Sequence, residues 1–216
     1  MKKNLLLFFI FVLSIQLSAQ SEDFKSIITV STFSPFRDQR YNVGYMHKLS
    51  ERWWVGAELG YGSEGITPFN HNDFKGKFNM FEIRPEVFYS LNPDSRLKHL
   101  ISAEVFYLNH KGNNVSGNYY DENDNYYSFS SADYKRTKAG VNINYSIMLH
   151  KESSWFGFMP KIGFGIRQSD ISYSNVINRE EKYEPTDGLP FQFLLNKEGS
   201  KLGFNFNIDI KLIFKF

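Results

Sequence analysis

From Leu202 to Phe216 every second residue is apolar. Leu202, Phe204, Phe206, Ile208, Ile210, Leu212, Phe214 and Phe216 are separated by Gly203, Asn205, Asn207, Asp209, Lys211, Ile213 and Lys215. Successive side chains of a strand point to opposite faces, so this period of two predicts one long β-strand, apolar on one face and polar on the other except at Ile213. The alternation recurs along the chain. Tyr41, Val43, Tyr45 and Leu49 oppose Asn42, Gly44, Met46 and Lys48, with His47 on the apolar parity. Trp53, Val55, Ala57, Leu59 and Tyr61 oppose Trp54, Gly56, Glu58, Gly60 and Gly62. Phe81, Ile83, Pro85, Val87, Tyr89 and Leu91 oppose Glu82, Arg84, Glu86, Phe88 and Ser90, and Ile101 to Tyr107 repeat the pattern against Ser102, Glu104 and Phe106. Val141 to Leu149 and Phe158 to Ile166 do the same. An opening strand near Lys25 to Phe33, whose facing the pattern leaves open, brings the expected number to eight. Helical periodicity is absent. Pro85 and Pro160 fall inside predicted strands, where a missing N–H disfavours a central position in a sheet.

The intervening segments, 34–40, 49–52, 62–77, 92–99, 109–133, 150–154 and 168–201, alternate short and long after the first. Strands that span a membrane as a barrel are joined by short turns on the periplasmic side and long loops outside. The short segments fall where a chain starting inside would place periplasmic turns. Trp53, Trp54 and Trp155 adjoin them, which predicts an aromatic girdle at that interface.

Composition supports lipid on the apolar faces. The 22 Phe, 13 Tyr and 3 Trp make the chain 18% aromatic, yet the mean hydropathy is −0.40, so apolar residues are interleaved rather than continuous. A barrel in lipid needs this, because only alternate residues meet the bilayer. Residues 1–20, "MKKNLLLFFIFVLSIQLSAQ", carry Lys2 and Lys3, a short apolar run and small residues near Ala19, the pattern of a secretory signal peptide. The expected organisation is therefore a signal peptide over 1–20 and a barrel over 21–216. There is no cysteine, which excludes a disulfide framework, a thiolate metal site and a thiol nucleophile. Removing the two leader lysines from 25 Lys and Arg leaves 23 against 23 Asp and Glu, a balance that does not suggest nucleic acid as a partner.

These strands, with segments such as "YNVGYMHKLSERWWVGAELGYG" and "FEIRPEVFYSL", resemble the small eight-stranded outer-membrane barrels of the OmpA transmembrane-domain and OmpX type. The resemblance covers Ser21 to Phe216 as architecture. It implies an all-β, antiparallel, up-and-down transmembrane barrel in the outer membrane of a Gram-negative bacterium, with outer-membrane lipid around it. It also implies that the terminal strand, with Phe214 and Phe216, is read by the barrel-assembly machinery as an insertion signal. The family includes anchors, adhesins and a few lipid-modifying enzymes, so fold leaves function open.

Inward parity collects Glu58, Glu82, Glu86, Glu104 and Asp209 with Arg84, Lys138, Lys161, Arg167 and Lys211. The interior of an eight-stranded barrel is only just wide enough for side chains to fill it. These ions are therefore expected to form a charge-paired lumen plug rather than a pore or a glycosidase-like carboxylate pair. A lipid-modifying hydrolase is the enzyme alternative and would need a Ser/His pair on the lipid side near the outer leaflet. Among His47, His71, His99, His110 and His150 only His110 lies near that rim. "YYDENDNYY" spaces Asp121, Asn123 and Asn125 like the start of a calcium loop, but Tyr126 and Ala132 stand where glycine and glutamate are needed. No cofactor or metal site is expected. In the long loops Tyr119, Tyr120, Tyr126, Tyr127, Phe191 and Phe193 are candidate contacts for an extracellular protein or glycan, a composition common in binding surfaces. The alternative places these aromatics in β-ribbons that continue the barrel, paired across strands. The expected function is thus non-enzymatic, structural or surface-binding. A soluble lipocalin-like binder, with the apolar rows turned inward, is the third possibility.

Overall fold

Each period-two segment pairs with its neighbours in a single antiparallel sheet that closes on itself. The computed structural model describes residues 25–37, 39–64, 75–150, 154–182 and 197–216. The elements are β1 (Ser26–Ser31), α1 (Ser34–Arg37), β2 (Tyr41–Lys48), β3 (Trp53–Ser63), β4 (Lys75–Ser90), β5 (Leu97–Tyr120), β6 (Tyr126–His150), β7 (Phe156–Ile177), β8 (Glu180–Glu181) and β9 (Gly199–Lys215). Strands β1 to β7 pair in sequence, β7 pairs with β9, and β9 returns to β1 with Ile28 opposite Phe214 and Val30 opposite Leu212. The ring therefore has eight strands. The two-residue β8 lies on the far end of β6, with Glu181 opposite Tyr127, outside the ring.

The apolar rows face outward. Phe204 is 80% exposed and Leu202 77%, and Val43, Leu59, Val87, Val105, Ile143 and Ile162 are all exposed. This is the reverse of the lipocalin-like arrangement. Burial also settles the facing of β1: Ile27, Thr29 and Ser31 point inward.

Aromatic rings bound the apolar belt at both ends. At the loop end Tyr41, Tyr61, Phe81 and Tyr107 are exposed, the first three in one cross-strand row. At the short-turn end Trp53 packs edge-on against Tyr89 and Trp155 stacks on Phe214. From Trp53 to Tyr61 the strand runs roughly 27 Å, or about 20 Å along the axis after a tilt of about 40°, close to the apolar height of a bilayer barrel. Trp54 does not belong to this girdle. It is 1% exposed and points into the lumen, as its place between the outward Trp53 and Val55 requires.

Both interior prolines are accommodated by interrupting one ladder only. Pro85 stays in register with Ala57 on β3, while the β4–β5 pairing skips from Ile83–Tyr107 to Glu86–Glu104. Pro160 stays opposite Ile210, while the β6–β7 pairing skips from Ser146–Lys161 to Leu149–Phe158. Each ring closes the strand on the side where its N–H would have donated.

Among the described residues, the segments expected as long loops are largely strand. The 109–133 segment is the far half of a β5–β6 hairpin closed by a turn at 121–125, and β7 continues to Ile177. Register shifts between Gly112 and Gly117 on the β5 side, and between Ser131 and Asp133 on β6, exchange the faces of these ribbons. Below the shifts the inward residues of β5 are even-numbered, ending at His110 and Gly112; above them Val115, Tyr119 and Tyr120 are buried. Asn114 and Asn175, with φ of 52° and 51°, supply the left-handed backbone that such bulges use. The segments 1–20 and 183–196, with the expected signal peptide and with Phe191 and Phe193, lie outside the described residues, as does His71.

Candidate functional site

Two distinct layers fill the lumen. Nearest the short turns lies an apolar plug to which every strand of the ring contributes one side chain: Ile27, Met46, Trp54, Phe88, Leu100, Met148, Met159 and Ile213, all nearly inaccessible. Ile213, the single break in the terminal alternation, is thus the share of β9 in this layer. The expected charge-paired plug is thus accompanied by a second, apolar layer. At the interface end, where the barrel need not hold ions, apolar packing seals it at no desolvation cost.

Above the plug sits the ionic layer. Lys161 Nζ donates to Glu86 at 2.7 Å and to Glu104 at 2.6 Å, and Lys211 pairs with Glu58. Arg84 bridges Glu82 at 2.9 Å and Glu104 at 3.3 Å. The remaining carboxylate capacity is taken by neutral donors. Asn42 donates to Glu58 and Glu82, Ser102 and Asn144 donate to Glu86, Asn142 donates to Glu104, and Ser31 donates to Asp209 at 2.8 Å. A buried ion pair is tolerated only when its remaining lone pairs are satisfied, and the inward asparagines do this.

Arg40 completes the layer, although the predicted strands leave it out. Its Nε lies 2.6 Å from Glu82 and it is buried, because the segment after β1 folds inward: Ser34 on α1 shares a 2.7 Å hydrogen bond with Ser31. Arg40 has the same even parity as Asn42, so extending the β2 alternation by one residue finds it.

Two expected members stand apart from the acids. Lys138 lies opposite Leu108 and Ser169, and Arg167 opposite Gly140 and Gly203, both nearer the loop end than the carboxylates. Arg167 reaches the acids only through a relay, donating at 3.4 Å to Asn205, which donates to Asn142, which donates to Glu104.

The relay crosses β7 above glycines. Asn205 and Asn142 meet over Gly165, and Asn207 donates to Asn144 at 3.1 Å over Gly163. A Cβ on Gly163 would lie 2.0 Å from Asn144 Oδ1. Gly163→Ala should therefore displace Asn144 from Glu86 and cost about 1–3 kcal/mol, the usual range for overpacking. Urea titration of the folded band on unheated gels measures it, and an unchanged midpoint would mean the bridge gives way freely.

Beyond the belt, β5, β6 and β7 build a second core from Val115, Tyr119, Phe129, Ala132, Tyr134, Ile171 and Tyr173. Tyr119 lies at its centre, with ring centroids 4.5 Å from Tyr173 and 5.7 Å from both Tyr127 and Phe129. Tyr119 and Tyr120 are buried and are not contact residues on the surface; the ribbon consumes them as packing, and Tyr120 pairs across the hairpin with Tyr126. Tyr126 and Tyr127 are half-buried, and the Arg179 guanidinium lies 3.6 Å over the Tyr127 ring. The turn is held by Asp121, whose carboxylate accepts from the Asn123 and Asn125 backbone N–H groups and from the Asn125 amide. Burial alone would raise this carboxyl, but those donors, with Arg179 nearby, hold it below the ordinary carboxylate range. Its oxygens thus serve the turn.

Beside the ribbon, an open cleft of about 520 Å³ runs between β5, β6 and the segment after β7, lined by Ser116, Asn118, Ser128, Ser130, Glu180 and Lys182. Hydroxyls, amides and one charge of each sign suit a polar ligand. The candidate for lipid-side hydrolysis is not where that chemistry needs it. His110 is buried in the lumen, edge-on to Phe78 and Tyr134.

No family model matches the chain, and no curated protein matches it. Similar solved structures include a major outer membrane protein from Thermus thermophilus, with 10% identity and a TM-score of 0.47 over 88% of this chain and 98% of that one. CarO from Acinetobacter baumannii is similar at 10% identity and a TM-score of 0.41, over 89% of this chain and 97% of that one.

Proposed function

We propose that this chain is a non-enzymatic outer-membrane barrel of a Gram-negative bacterium that anchors a rigid β-ribbon for binding a protein or glycan at the cell surface. The observation that carries this reading is the division of the fold into a sealed lumen and an external ribbon with its own aromatic core. Beyond Asn109 the β5–β6 hairpin rises by as much as ~37 Å above the belt if fully extended. A barrel serving only as an anchor has no need of such a structure, and one serving as a pore would not be filled by all eight strands. The architecture is that of the OmpA transmembrane-domain and OmpX type, with the short turns in the periplasm, and the polar cleft beside Ser128 is the favoured ligand seat.

Replacing residues 113–131 by a tight turn tests this. The truncated barrel should still fold and reach the surface, because β5 and β6 remain paired up to Gly112–Tyr134. Binding of cells that display the protein to glycan arrays and host extracellular proteins should disappear with the ribbon. Binding that persists without it would overturn the assignment.

Insertion is assigned to the terminal strand. Phe214 packs against Trp155 and Phe156, and the Phe216 N–H donates to the Ser26 carbonyl at the β1–β9 closure. Replacing Phe214 and Phe216 together by Ser should lower outer-membrane levels severalfold while the exported protein accumulates in the periplasm. Fractionated immunoblots decide it, and unchanged membrane levels would remove the signal role.

A further inference from the structure

The lumen wall between the ionic layer and the external core is cationic. Three adjacent strands place Lys138, Ser169 and Lys201 in one cross-strand row. The row beneath it is Gly140, Arg167 and Gly203, and the row above holds Arg136 opposite Ile171. Arg136, Lys138, Arg167, Ser169 and Lys201 are all partly exposed on this wall. Gly203 is exposed, and a Cβ there would meet nothing within 4 Å, so the wall is open at this height. The charge that acts on Arg167 is that of Arg136, and those that act on the nearby His110 belong to Arg136, Lys138 and Arg40. Among the described residues neither Arg136 nor Arg167 has a carboxylate partner within ion-pair distance. Lower down, by contrast, every glutamate is matched to a base.

Two donors on the same wall are orphaned. Arg136 Nε and Ser169 Oγ are shielded from solvent and have no hydrogen-bond partner among the described residues. Like charges gathered in a partly dry vestibule repel one another, and buried donors without acceptors are costly. One ligand chemistry relieves both: a small multivalent oxyanion, which offers several acceptors to guanidinium, ammonium and hydroxyl donors at once. We propose that this vestibule, opening at the loop end, is a binding site for a soluble phosphate-type anion, held by Arg136, Arg167 and Ser169 with Lys138 beside them. These residues face inward across β6 and β7.

Titrating inorganic phosphate into the detergent-folded full chain at constant ionic strength, followed by calorimetry, tests this. Wild type should bind one phosphate, and Arg136→Gln combined with Arg167→Gln should weaken binding by about tenfold or more, since two charge-assisted partners are lost. Lys135→Gln, which removes one exposed, outward charge from the same strand, should leave affinity unchanged. Heat-modifiable mobility of each variant confirms that it is folded. Absence of saturable binding to wild type, or equal affinity in wild type and the double variant, would overturn the proposal.

Discussion

Glu82→Lys is expected to destabilise the barrel by roughly 3–5 kcal/mol, because it replaces the shared acceptor of two buried guanidinium groups by a third cation. Glu82 is almost fully buried, and Arg40 and Arg84 both pair with it while Asn42 donates to it. Coulomb attraction is strongly amplified away from water, so loss of the acid leaves two bases repelling each other rather than simply unpaired. Arg40 should leave the lumen first, since it is carried by the segment after β1 rather than held within a strand. The structural consequence is specific: α1 loses its seat in the barrel mouth, and protease should then cut after Arg37 or Arg40 in folded protein. Urea unfolding monitored by gel mobility gives the magnitude, and a variant as stable as wild type would show that the ionic layer is hydrated rather than closed. Glu82→Gln, which keeps shape and removes charge, should fall between the two.

Phe88→Ala is the second large effect, with an expected loss of about 3–5 kcal/mol. Phe88 is 2% exposed and lies in register with Trp54, at the centre of a layer drawn from all eight strands. Removing a ring from a layer whose neighbours are fixed to a closed sheet leaves a cavity that the backbone cannot collapse to fill, so both transfer and cavity terms apply. The two variants separate the layers. Phe88→Ala should be insensitive to salt, whereas Glu82→Lys should recover part of its stability at high ionic strength where the disturbed layer admits solvent. A Phe88→Ala barrel with an unchanged unfolding midpoint would mean that the plug does not contribute to stability.

Much of this can be read in advance because a closed barrel in lipid turns one rule, alternation, into nearly all of its architecture. Outward rows and most of the lumen acids follow from parity, and the alternation of connection lengths gathers the short turns at one end. The apolar plug is present in the same rows, since Met46, Trp54, Phe88, Met148 and Ile213 all stand on inward parity near a short turn. No single strand announces a layer, however; it emerges only when eight staggered strands are aligned. Arg40 escapes the pattern because it precedes the first apolar residue of β2. The ribbon is harder still. Bulges near Asn114 and Asn175 exchange its faces, so Tyr119 changes from apparent surface to core, and polar outer positions make long strands look like loops. Lys138 and Arg167 show a further limit: parity places a charge inside the ring, but its height relative to the acids depends on register.

The central claim is that the transmembrane ring is a sealed, non-conducting anchor and that surface binding lies in the ribbon outside it. Single-channel recording of the purified, folded protein in planar bilayers tests this most directly. The eight-sided apolar plug and the ionic layer above it predict no sustained conductance across the physiological voltage range, and no increase when residues 113–131 are removed. A steady, ion-selective current through wild-type barrels would contradict the account.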